Sequence, residues 1–320
     1  MHYHARHVSD ADPTPAEAEA EAARQATAGM VYGLAAFVTW GLLPLYFHAL
    51  RAVPATQTLA HRIVWAAFVL TVILTVRRGW RGGVAAIGRG ELRVFALTTV
   101  LLSTNWLVYI ISVNTDRVLE ASLGYFVTPL VNVALGIVVL GERLSRLQGV
   151  AIAVAASGVL TLMIGTGSAP WIPMTLALSF GTYGLLRKRL GVPPMMALFV
   201  ETIVMLPVAV GYLVVLSVQN EAAFGRAPMD DAMLLGTGLV TAFPLVWFAH
   251  AARRLRLATL GTLQYVSPIL GLVIAVWVFG EPFGRWHAVA FGAIWVSLAI
   301  YGYDAARRAR GLADRLADRR

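Results

Sequence analysis

Two side chains of opposite charge stand inside long apolar stretches of the sequence. Arg62 lies in LAHRIVW, and Glu201 lies in LFVETIVMLP. If these stretches cross a bilayer, each charge costs about 2.5–3.5 kcal/mol even on insertion scales, so each needs a reason to be there. We predict that Arg62 binds the carboxylate of a substrate or acts as a gate. The alternative is that its long side chain extends to the lipid headgroups.

Two further groups could carry protons. His61 directly precedes Arg62, and a histidine titrates near neutral pH. Glu201 lies 140 residues after His61, and a lone carboxylate in apolar surroundings can hold a proton. We therefore predict proton-coupling roles for Glu201 and His61. The alternatives are that Glu201 pairs with an arginine or a helix-end donor, and that His61 is a satisfied structural histidine.

A set of aromatic and amide side chains accompanies these charges. Trp and Tyr usually collect in belts at the membrane interfaces, but several members of this set lie deeper in the apolar stretches. Stacking and a few amide hydrogen bonds would suit a neutral or zwitterionic, partly apolar molecule. Besides Arg62, the predicted substrate-binding residues are Trp40, Asn105, Trp106, Tyr109, Tyr125, Gln264 and Tyr265.

One apolar stretch occurs twice. Residues 127–142 read VTPLVNVALGIVVLGE, and residues 266–281 read VSPILGLVIAVWVFGE, with a shift of 139 residues and no gap. Pro129 and Pro268 coincide, and each follows a hydroxyl residue that could help to satisfy the carbonyl freed by the proline. We predict a hinge at both prolines, with a plain structural kink as the alternative. The closing Gly-Glu pairs predict helix ends, where the glutamates cap or pair at the interface.

The composition indicates the elements that must position these groups. The chain of 320 residues is 58% hydrophobic and 13% charged. Soluble domains average about 45–50% apolar and about 25% charged residues, so the composition predicts a protein that crosses a membrane several times. The sequence contains no cysteine, which excludes disulfides, thiol nucleophiles and thiolate metal sites.

The apolar runs predict ten spanning helices, because each is continuous and near the 20 or so residues that a span needs. They are residues 29–50, 57–76, 94–113, 118–140, 147–165, 169–186, 195–216, 232–250, 257–279 and 286–303. With the N-terminus in the cytoplasm, 21 Lys and Arg residues fall on cytoplasmic segments and 4 on external ones. This bias predicts that both termini are cytoplasmic.

The repeated stretch then explains the domain organisation. The two copies end the fourth and ninth spans, which are five positions apart in the order of spans; because five is odd, the copies cross the membrane in opposite directions. The sequence therefore predicts an all-α membrane protein with a 5+5 inverted-topology repeat, the arrangement that secondary transporters use for alternating access. The predicted parts are a polar tail over 1–28, which we expect to be disordered or loosely helical, repeats over 29–165 and 169–303, and a basic tail over 304–320.

Four motifs carry a resemblance to a known family. They are WGLLPLYF from Trp40, LAHRIVW from Leu59, NWLVYI from Asn105 and LEASLGY from Leu119. Together with the ten spans and the Pro…Gly-Glu endings, they resemble the RarD-type branch of the EamA family, in the drug/metabolite transporter superfamily. The branch is often labelled chloramphenicol-sensitive or chloramphenicol-resistance permease. The resemblance covers residues 29–303.

This resemblance implies a bacterial inner-membrane transporter or exporter of small organic molecules, such as amphipathic amino acids or chloramphenicol. It implies no particular substrate. One position departs from the family pattern, which has an acidic residue shortly before the His-Arg pair. Here that residue is Gln57, so the resemblance does not carry a proton-coupling role to this position.

Other functions find less support in the sequence. The G-x-x-x-x-G-K-[ST] motif is missing, so the chain is not expected to hydrolyse ATP, and G-x-S-x-G and H-E-x-x-H are missing as well. A passive channel, a lipid scramblase and, more remotely, an intramembrane enzyme stay as alternatives. We expect no cofactor, no metal and no nucleic-acid partner. The expected partners are a small-molecule substrate and membrane lipid, with the protein as a monomer or homodimer.

Overall fold

The computed structural model describes residues 15–77, 80, 88–141, 145–187, 190–255 and 257–317, and every regular element in that part of the chain is helical. The elements are α1 (Pro15–Ala49), α2 (Ala55–Val76), α3 (Arg89–Asn114), α4 (Val118–Leu140), α5 (Arg146–Thr166), α6 (Trp171–Arg187), α7 (Pro194–Val218), α8 (Pro228–Ala252), α9 (Leu257–Leu263), α10 (Val266–Val273), a π-helical turn (Ile274–Val278) and α11 (Arg285–Ala317).

The protein is a multi-pass membrane protein. Within the described residues, nine helical segments are long and apolar enough to cross a bilayer. The helix at the sixth predicted span, α6, has 17 residues. The tail predicted over 1–28 is helical from Pro15 onward and continuous with the first span, and α11 likewise runs on to Ala317. Residues 1–14 and 318–320 of the two predicted tails lie outside the described residues.

Helices from the two halves of the chain pack against each other. Helix α8 packs against α1 and α2, α6 packs against α3 and α4, and α5 packs along α11. Helix α10 touches both α1 and α4, one on each side of the division between the halves. The largest cluster of buried side chains surrounds Phe47, Phe126 and Phe291, while apolar side chains such as Val138 and Trp277 face outward, 83% and 76% exposed. Outward apolar surface of this kind is what lipid tails would cover.

The two copies of the repeated stretch differ in their backbone. Helix α4 runs unbroken through Pro129, whereas the ninth span is interrupted between α9 and α10, just before Pro268. A π-helical turn follows α10. The neighbouring hydroxyls do not serve the carbonyls that the prolines free. Thr128 Oγ1 donates to Gly124 O at 3.0 Å, and Ser267 Oγ reaches across to Phe37 O of α1 at 2.9 Å.

The Gly-Glu pairs mark helix ends, as the sequence predicts. Gly141 terminates α4 with φ 65°, and Gly280 follows the π-helical turn with φ 69°. Both angles fall in the left-handed region, which glycine adopts without the Cβ penalty. Glu142 lies outside the described residues, and Glu281 is buried.

Candidate functional site

Arg62 is the centre of the candidate site. It lies on the second turn of α2 and is only 4% exposed. Its Nε donates to Thr241 Oγ1 of α8 at 2.9 Å. Its guanidinium carbon lies 4.0 Å from the ring centroid of Trp106 and 5.3 Å from that of Phe47, within cation–π range. The side chain points into the protein, so the alternative that it extends to the headgroups is wrong.

Arg62 has no acidic partner within the described part of the chain. The ion pairs found there are Arg117 with Glu120 and His48 with Asp116, and neither involves Arg62. One hydroxyl and two aromatic faces leave most of its five N–H donors available. A buried charge without a counter-charge is costly, and a guanidinium fork matches the geometry of a carboxylate. The arrangement can therefore bind a small anion.

Three of the predicted polar and aromatic residues lie together next to this arginine. The rings of Tyr109 and Tyr125 have centroids 5.9 Å apart, and Tyr109 also packs edge-on against Phe47. Tyr125 donates its hydroxyl hydrogen to Asn105 Oδ1 at 3.2 Å. The structure thus brings Arg62, Asn105, Trp106, Tyr109 and Tyr125 into one connected group.

Asn105 holds this group in place. Its Nδ2 donates to Leu176 O and to Ser179 Oγ of α6, both at 3.1 Å. These bonds connect α3 in the first half of the chain to α6 in the second half. Asn105 is 2% exposed, and both its Nδ2 and its Oδ1 are hydrogen-bonded. The side chain is therefore held in one orientation, and it fixes the position of the Tyr125 hydroxyl.

The remaining predicted binding residues lie elsewhere. Trp40 belongs to an aromatic cluster with Phe37 and Phe248, at centroid distances of 5.5 and 5.8 Å. Tyr265 stacks on Phe126 at 6.2 Å, one residue along from Tyr125. Gln264 is exposed, at the interruption of the ninth span. The side-chain hydrogen bond and ring contacts of Arg62 involve none of these three residues, and their role in binding stays a prediction.

Glu201 lies in a second polar cluster. Its side chain is 1% exposed, and Oε2 accepts a hydrogen bond from Tyr183 Oη at 3.2 Å. Oε1 has no hydrogen-bond partner and borders a small cavity that Trp106 also lines. The Arg187 guanidinium lies 6.0 Å from the Tyr183 ring centroid but forms no ion pair with Glu201. Without a direct ion pair, the carboxylate still interacts electrostatically with Arg187, and Thr98 is a further hydrogen-bond partner.

His61 turns away from its neighbour Arg62. Trp65 Nε1 donates to His61 Nδ1 at 3.3 Å, and the imidazole stacks on Phe224 at 5.2 Å. His61 lines a separate groove of about 300 Å³ between α2 and α7. The imidazole is thus packed and half satisfied, and its predicted proton-coupling role stays a prediction.

Gln57 has a clear structural task at the position where the family pattern has an acid. Its Nε2 donates to Glu221 O at 3.1 Å, and its Oε1 accepts from Ala223 N at 2.7 Å. The amide thereby joins the first turn of α2 to the connection between α7 and α8. A carboxylate could replace only the accepting half of this contact.

One contact with a bearing on function was only partly visible in the sequence. Glu281 accepts hydrogen bonds from the backbone amides of Val118, at 2.6 Å to Oε1, and Leu119, at 2.8 Å to Oε2. It thus caps the N-terminus of α4 from the far end of the ninth span, 163 residues away. The Gly-Glu ending predicted a cap. The repeat could not show which helix receives it, because Val118 and Leu119 lie before the first copy of the repeated stretch.

The fold and the site define a class of protein. A multi-pass helical protein that encloses an unpaired charge and several aromatic side chains at the packing of its spans has the organisation of a small-molecule transporter. No group of three metal-ligating His, Asp or Glu side chains exists in the described residues.

Comparison with known proteins places the chain within this class. The EamA-like transporter family matches residues 27–164 and 169–303, and the chain belongs to this family. It is therefore a membrane transporter of the drug/metabolite type.

Its relatives match over nearly their whole length. A protein named Protein RarD from Streptomyces exfoliatus is 44% identical over 88% of this chain and 90% of its own. An uncharacterized transporter of Vibrio cholerae is 41% identical over 90% of this chain and 98% of its own. The chloramphenicol-sensitive protein RarD of Pseudomonas aeruginosa is 33% identical over 90% of this chain and 97% of its own. A crystal structure with 19% identity has a TM-score of 0.55 over 88% of this chain and 98% of the other, which shows a shared fold.

Proposed function

We propose that the protein is a secondary active exporter of small organic molecules that carry a carboxylate and an apolar part. The observation that carries this proposal is Arg62, a buried guanidinium with no acidic partner in the described part of the chain. A carboxylate substrate would supply the missing counter-charge while it is bound. Amphipathic amino acids have this chemistry.

The rings around Arg62 suit the apolar part of such a substrate. Trp106, Phe47 and Tyr109 present aromatic faces and edges beside the guanidinium. Chloramphenicol, which the name of one relative mentions, has aromatic character but no carboxylate. It would gain the stacking contacts and leave the charge of Arg62 unpaired, so we expect it to be the weaker substrate.

We further propose that ten spans form two inverted repeats, over 29–165 and 169–303. The family match divides at the same connection. Equivalent contacts also recur: α1 packs against α8 and α10 of the other half, and α6 packs against α3 and α4. Phe126 and Tyr265, which occupy equivalent positions in the repeat, stack on each other. Contact between equivalent residues is expected where a pseudo-two-fold axis passes.

Alternating access would move α4 and the ninth span against each other. The interruption between α9 and α10 gives the ninth span a place to bend, next to the proposed hinge at Pro268. Pro129 would be the matching hinge in α4. The Glu281 bonds to the start of α4 lie at the end that the arginine distribution places outside, so they would have to break when the site opens outward.

The proposed setting is the bacterial inner membrane, with both termini in the cytoplasm. The distribution of Arg and Lys supports this orientation. Proton coupling through Glu201 or His61 stays a prediction, as does the choice between a monomer and a homodimer.

Everted membrane vesicles provide the test. In energised vesicles that contain the protein, we expect an amphipathic amino acid to accumulate above its external concentration, and this accumulation to be lost in Arg62→Gln. Arg51→Gln is the matched control, because Arg51 is an exposed arginine on the α1–α2 connection. Equilibration without accumulation would indicate a passive facilitator instead. Unchanged accumulation in Arg62→Gln would overturn the proposed site.

A further inference from the structure

Four cationic or titratable side chains lie together where α8 packs against α1 and α2, at the end of the helices that the arginine distribution assigns to the cytoplasm. Arg77 follows the last turn of α2, and Arg253 and Arg254 follow the last turn of α8. His250 belongs to that last turn of α8 and contacts both Arg77 and Arg254. We call these four residues the basic cluster.

Both ring nitrogens of His250 face an arginine. Arg77 Nη1 lies 3.2 Å from Nε2, and Arg254 Nη1 lies 3.2 Å from Nδ1. The ring also stacks on Tyr32 of α1, with 5.0 Å between the centroids, so a third helix holds it in place. A neutral imidazole has a single acceptor nitrogen, and a protonated one has none. At most one of the two arginines therefore finds a lone pair on this ring.

The other acceptors that Arg254 finds are neutral. Its Nη1 donates to His250 O at 3.1 Å, and its Nε donates to Gln25 Oε1 at 2.9 Å. The Gln25 amide in turn donates to Glu21 Oε1 at 2.7 Å. The carboxylate of Glu21 thus reaches the arginine only through an uncharged amide and does not pair with it.

Negative charge is scarce around the basic cluster. The ion pairs among the described residues include none of its members. The sequence has no Asp or Glu over residues 22–90 or 232–280, which contain the cluster and the parts of α1 and α2 that contact it. Several positive charges therefore stand close together, and a bound anion would relieve their mutual repulsion.

The opposite end of the helices has a similar contact with a different neighbour. There Arg51 Nη1 lies 3.2 Å from His48 Nε2, and Asp116 forms an ion pair with the same imidazole at 3.7 Å. At His250 a second arginine takes the place of that acid. The contrast indicates that the counter-charge of the basic cluster comes from outside the described residues.

Outward-facing apolar side chains begin directly beside the basic cluster. Val76 precedes Arg77 and is 78% exposed, and Val72, one turn earlier on α2, is exposed as well. On α1, Val31 precedes Tyr32 and also faces outward. An anionic phospholipid fits this combination, because arginine binds phosphate oxygens and acyl chains cover apolar side chains. A free phosphate ion would use only the charged half of this surface.

We propose that the basic cluster binds the phosphate of one anionic phospholipid, whose acyl chains lie along α1 and α2. Arg77 and Arg253 are exposed and would bind the phosphate oxygens, while His250 and Arg254 position Arg77 from behind. The lipid would join the ends of α2 and α8, which come from the two halves of the chain. This inference goes beyond the proposed function and does not depend on which molecule is transported.

Native mass spectrometry of the purified full-length protein tests the proposal, because it counts the lipids bound to each chain. Phosphatidylglycerol and phosphatidylcholine with the same acyl chains are titrated separately. We expect the first phosphatidylglycerol to bind at least tenfold more tightly than the first phosphatidylcholine, since only phosphatidylglycerol carries a net negative charge. In thermal unfolding, phosphatidylglycerol should raise the Tm saturably, and inorganic phosphate should leave it unchanged relative to chloride at equal ionic strength.

Variants locate the lipid. Arg77→Gln and Arg253→Gln should each weaken the binding of the first phosphatidylglycerol about fivefold and leave the binding of phosphatidylcholine unchanged. Arg51→Gln is the matched control, because it removes an arginine that contacts a histidine at the opposite end of the helices. It should keep the full affinity for phosphatidylglycerol.

Three outcomes would overturn the site. The first is equal affinity of the unaltered protein for the two lipids. The second is a phosphatidylglycerol affinity that is undiminished when Arg77→Gln and Arg253→Gln are combined, or that falls equally in Arg51→Gln. The third is an inorganic phosphate effect on Tm as large as that of phosphatidylglycerol, which would make the ligand a free ion. The lipid comparison needs no variant, so the proposal can be judged even if the variants fail to fold.

Discussion

Arg62 combines burial, charge and aromatic contact in one side chain, and its chemistry depends on the shape of the guanidinium. The group stacks on Trp106 and donates through Nε to Thr241, which leaves the outer edge of the fork for a ligand. A lysine would keep the charge but lose the planar stacking and the paired donors. Charge alone is therefore not expected to sustain the site.

The first prediction concerns this difference. Arg62→Lys should weaken carboxylate binding by about tenfold, and Arg62→Gln by about a hundredfold, because hydrogen bonds to charged groups contribute about 1.5–3 kcal/mol. Half-saturating concentrations for vesicle uptake would measure the effect, with Arg51→Gln as the surface control. Equal loss in the Lys and Gln variants would mean that geometry alone decides. Full activity in the Lys variant would mean that charge alone suffices.

A second prediction concerns Gln57, whose amide donates to one backbone group and accepts from another. Gln57→Glu removes the donor and sets a carboxylate oxygen against Glu221 O. We expect a loss of about 1–3 kcal/mol in the free energy of unfolding, because a hydrogen bond is lost and a carboxylate is placed at a position that is only 4% exposed. Thermal unfolding at neutral pH would show it as a lower Tm. Unaltered Tm would mean that the backbone of the α7–α8 connection adapts.

Single residues also show what sequence can reveal at this scale. Arg62 and Glu201 could be found because a charge in an apolar run is conspicuous. Arg62 groups with Asn105, Trp106, Tyr109 and Tyr125 of the predicted set, but Trp40, Gln264 and Tyr265 lie elsewhere. Depth along a span can be counted from the sequence, whereas the direction of a side chain around its helix depends on neighbours that hydropathy does not identify.

At the scale of elements, the joint between Glu281 and the start of α4 connects the two halves of the chain. Burial raises the pKa of the Glu281 carboxyl, and the nearby Asp116 and Glu120 carboxylates add to the rise, while the amides of Val118 and Leu119 oppose it. His48 and Arg117 also lie at this end, paired with Asp116 and Glu120.

The third prediction follows from this raised pKa. The folded protein holds the Glu281 proton more tightly than the unfolded chain does. Its contribution to stability is therefore fully present below the unfolded pKa and is lost as the pH rises through the folded pKa. Tm measured against pH should fall across that window in the unaltered protein, and Glu281→Gln should lack this component of the decline. Parallel curves for the two proteins would contradict the assignment.

A close approach of two helices gives the fourth prediction. A Cβ atom added at Gly124 in α4 would lie 2.9 Å from both Cα and O of Pro173 in the neighbouring α6, and backbone atoms cannot move aside easily. Gly124→Ala should cost about 1–3 kcal/mol of stability. Gly292→Ala is the control, because a Cβ there meets no atom within 4 Å. Equal Tm values for the two variants would show that α4 and α6 can separate without cost.

The ninth span shows why elements are only partly predictable. Its apolar run is as continuous as that of α4, so hydropathy predicts one helix over 257–279. The structure has α9, an interruption, α10 and a π-helical turn. The interruption is accompanied by a difference in tertiary contact: Ser267 bonds to a carbonyl of α1, while Thr128 in the equivalent position bonds within its own helix.

At the scale of the whole molecule, the sequence predicted the helical membrane class and the family. Composition and continuous apolar runs determine the first, and specific motifs carry the second. The 139-residue shift links two segments that the structure places in contact through Phe126 and Tyr265. Cross-connections such as that of Asn105 to α6 could not be predicted, because they join helices that are far apart in the chain.

On the proposed function, Arg62 binds the carboxylate of the transported molecule. This binding is tested most directly by competition for uptake, using pairs of compounds that differ only in having a carboxylate or the corresponding primary carboxamide. An amphipathic amino acid and its amide form one such pair. We expect the acid to compete at least tenfold better than the amide in the unaltered protein, and this preference to disappear in Arg62→Gln. Equal competition by both members of each pair in the unaltered protein would contradict it.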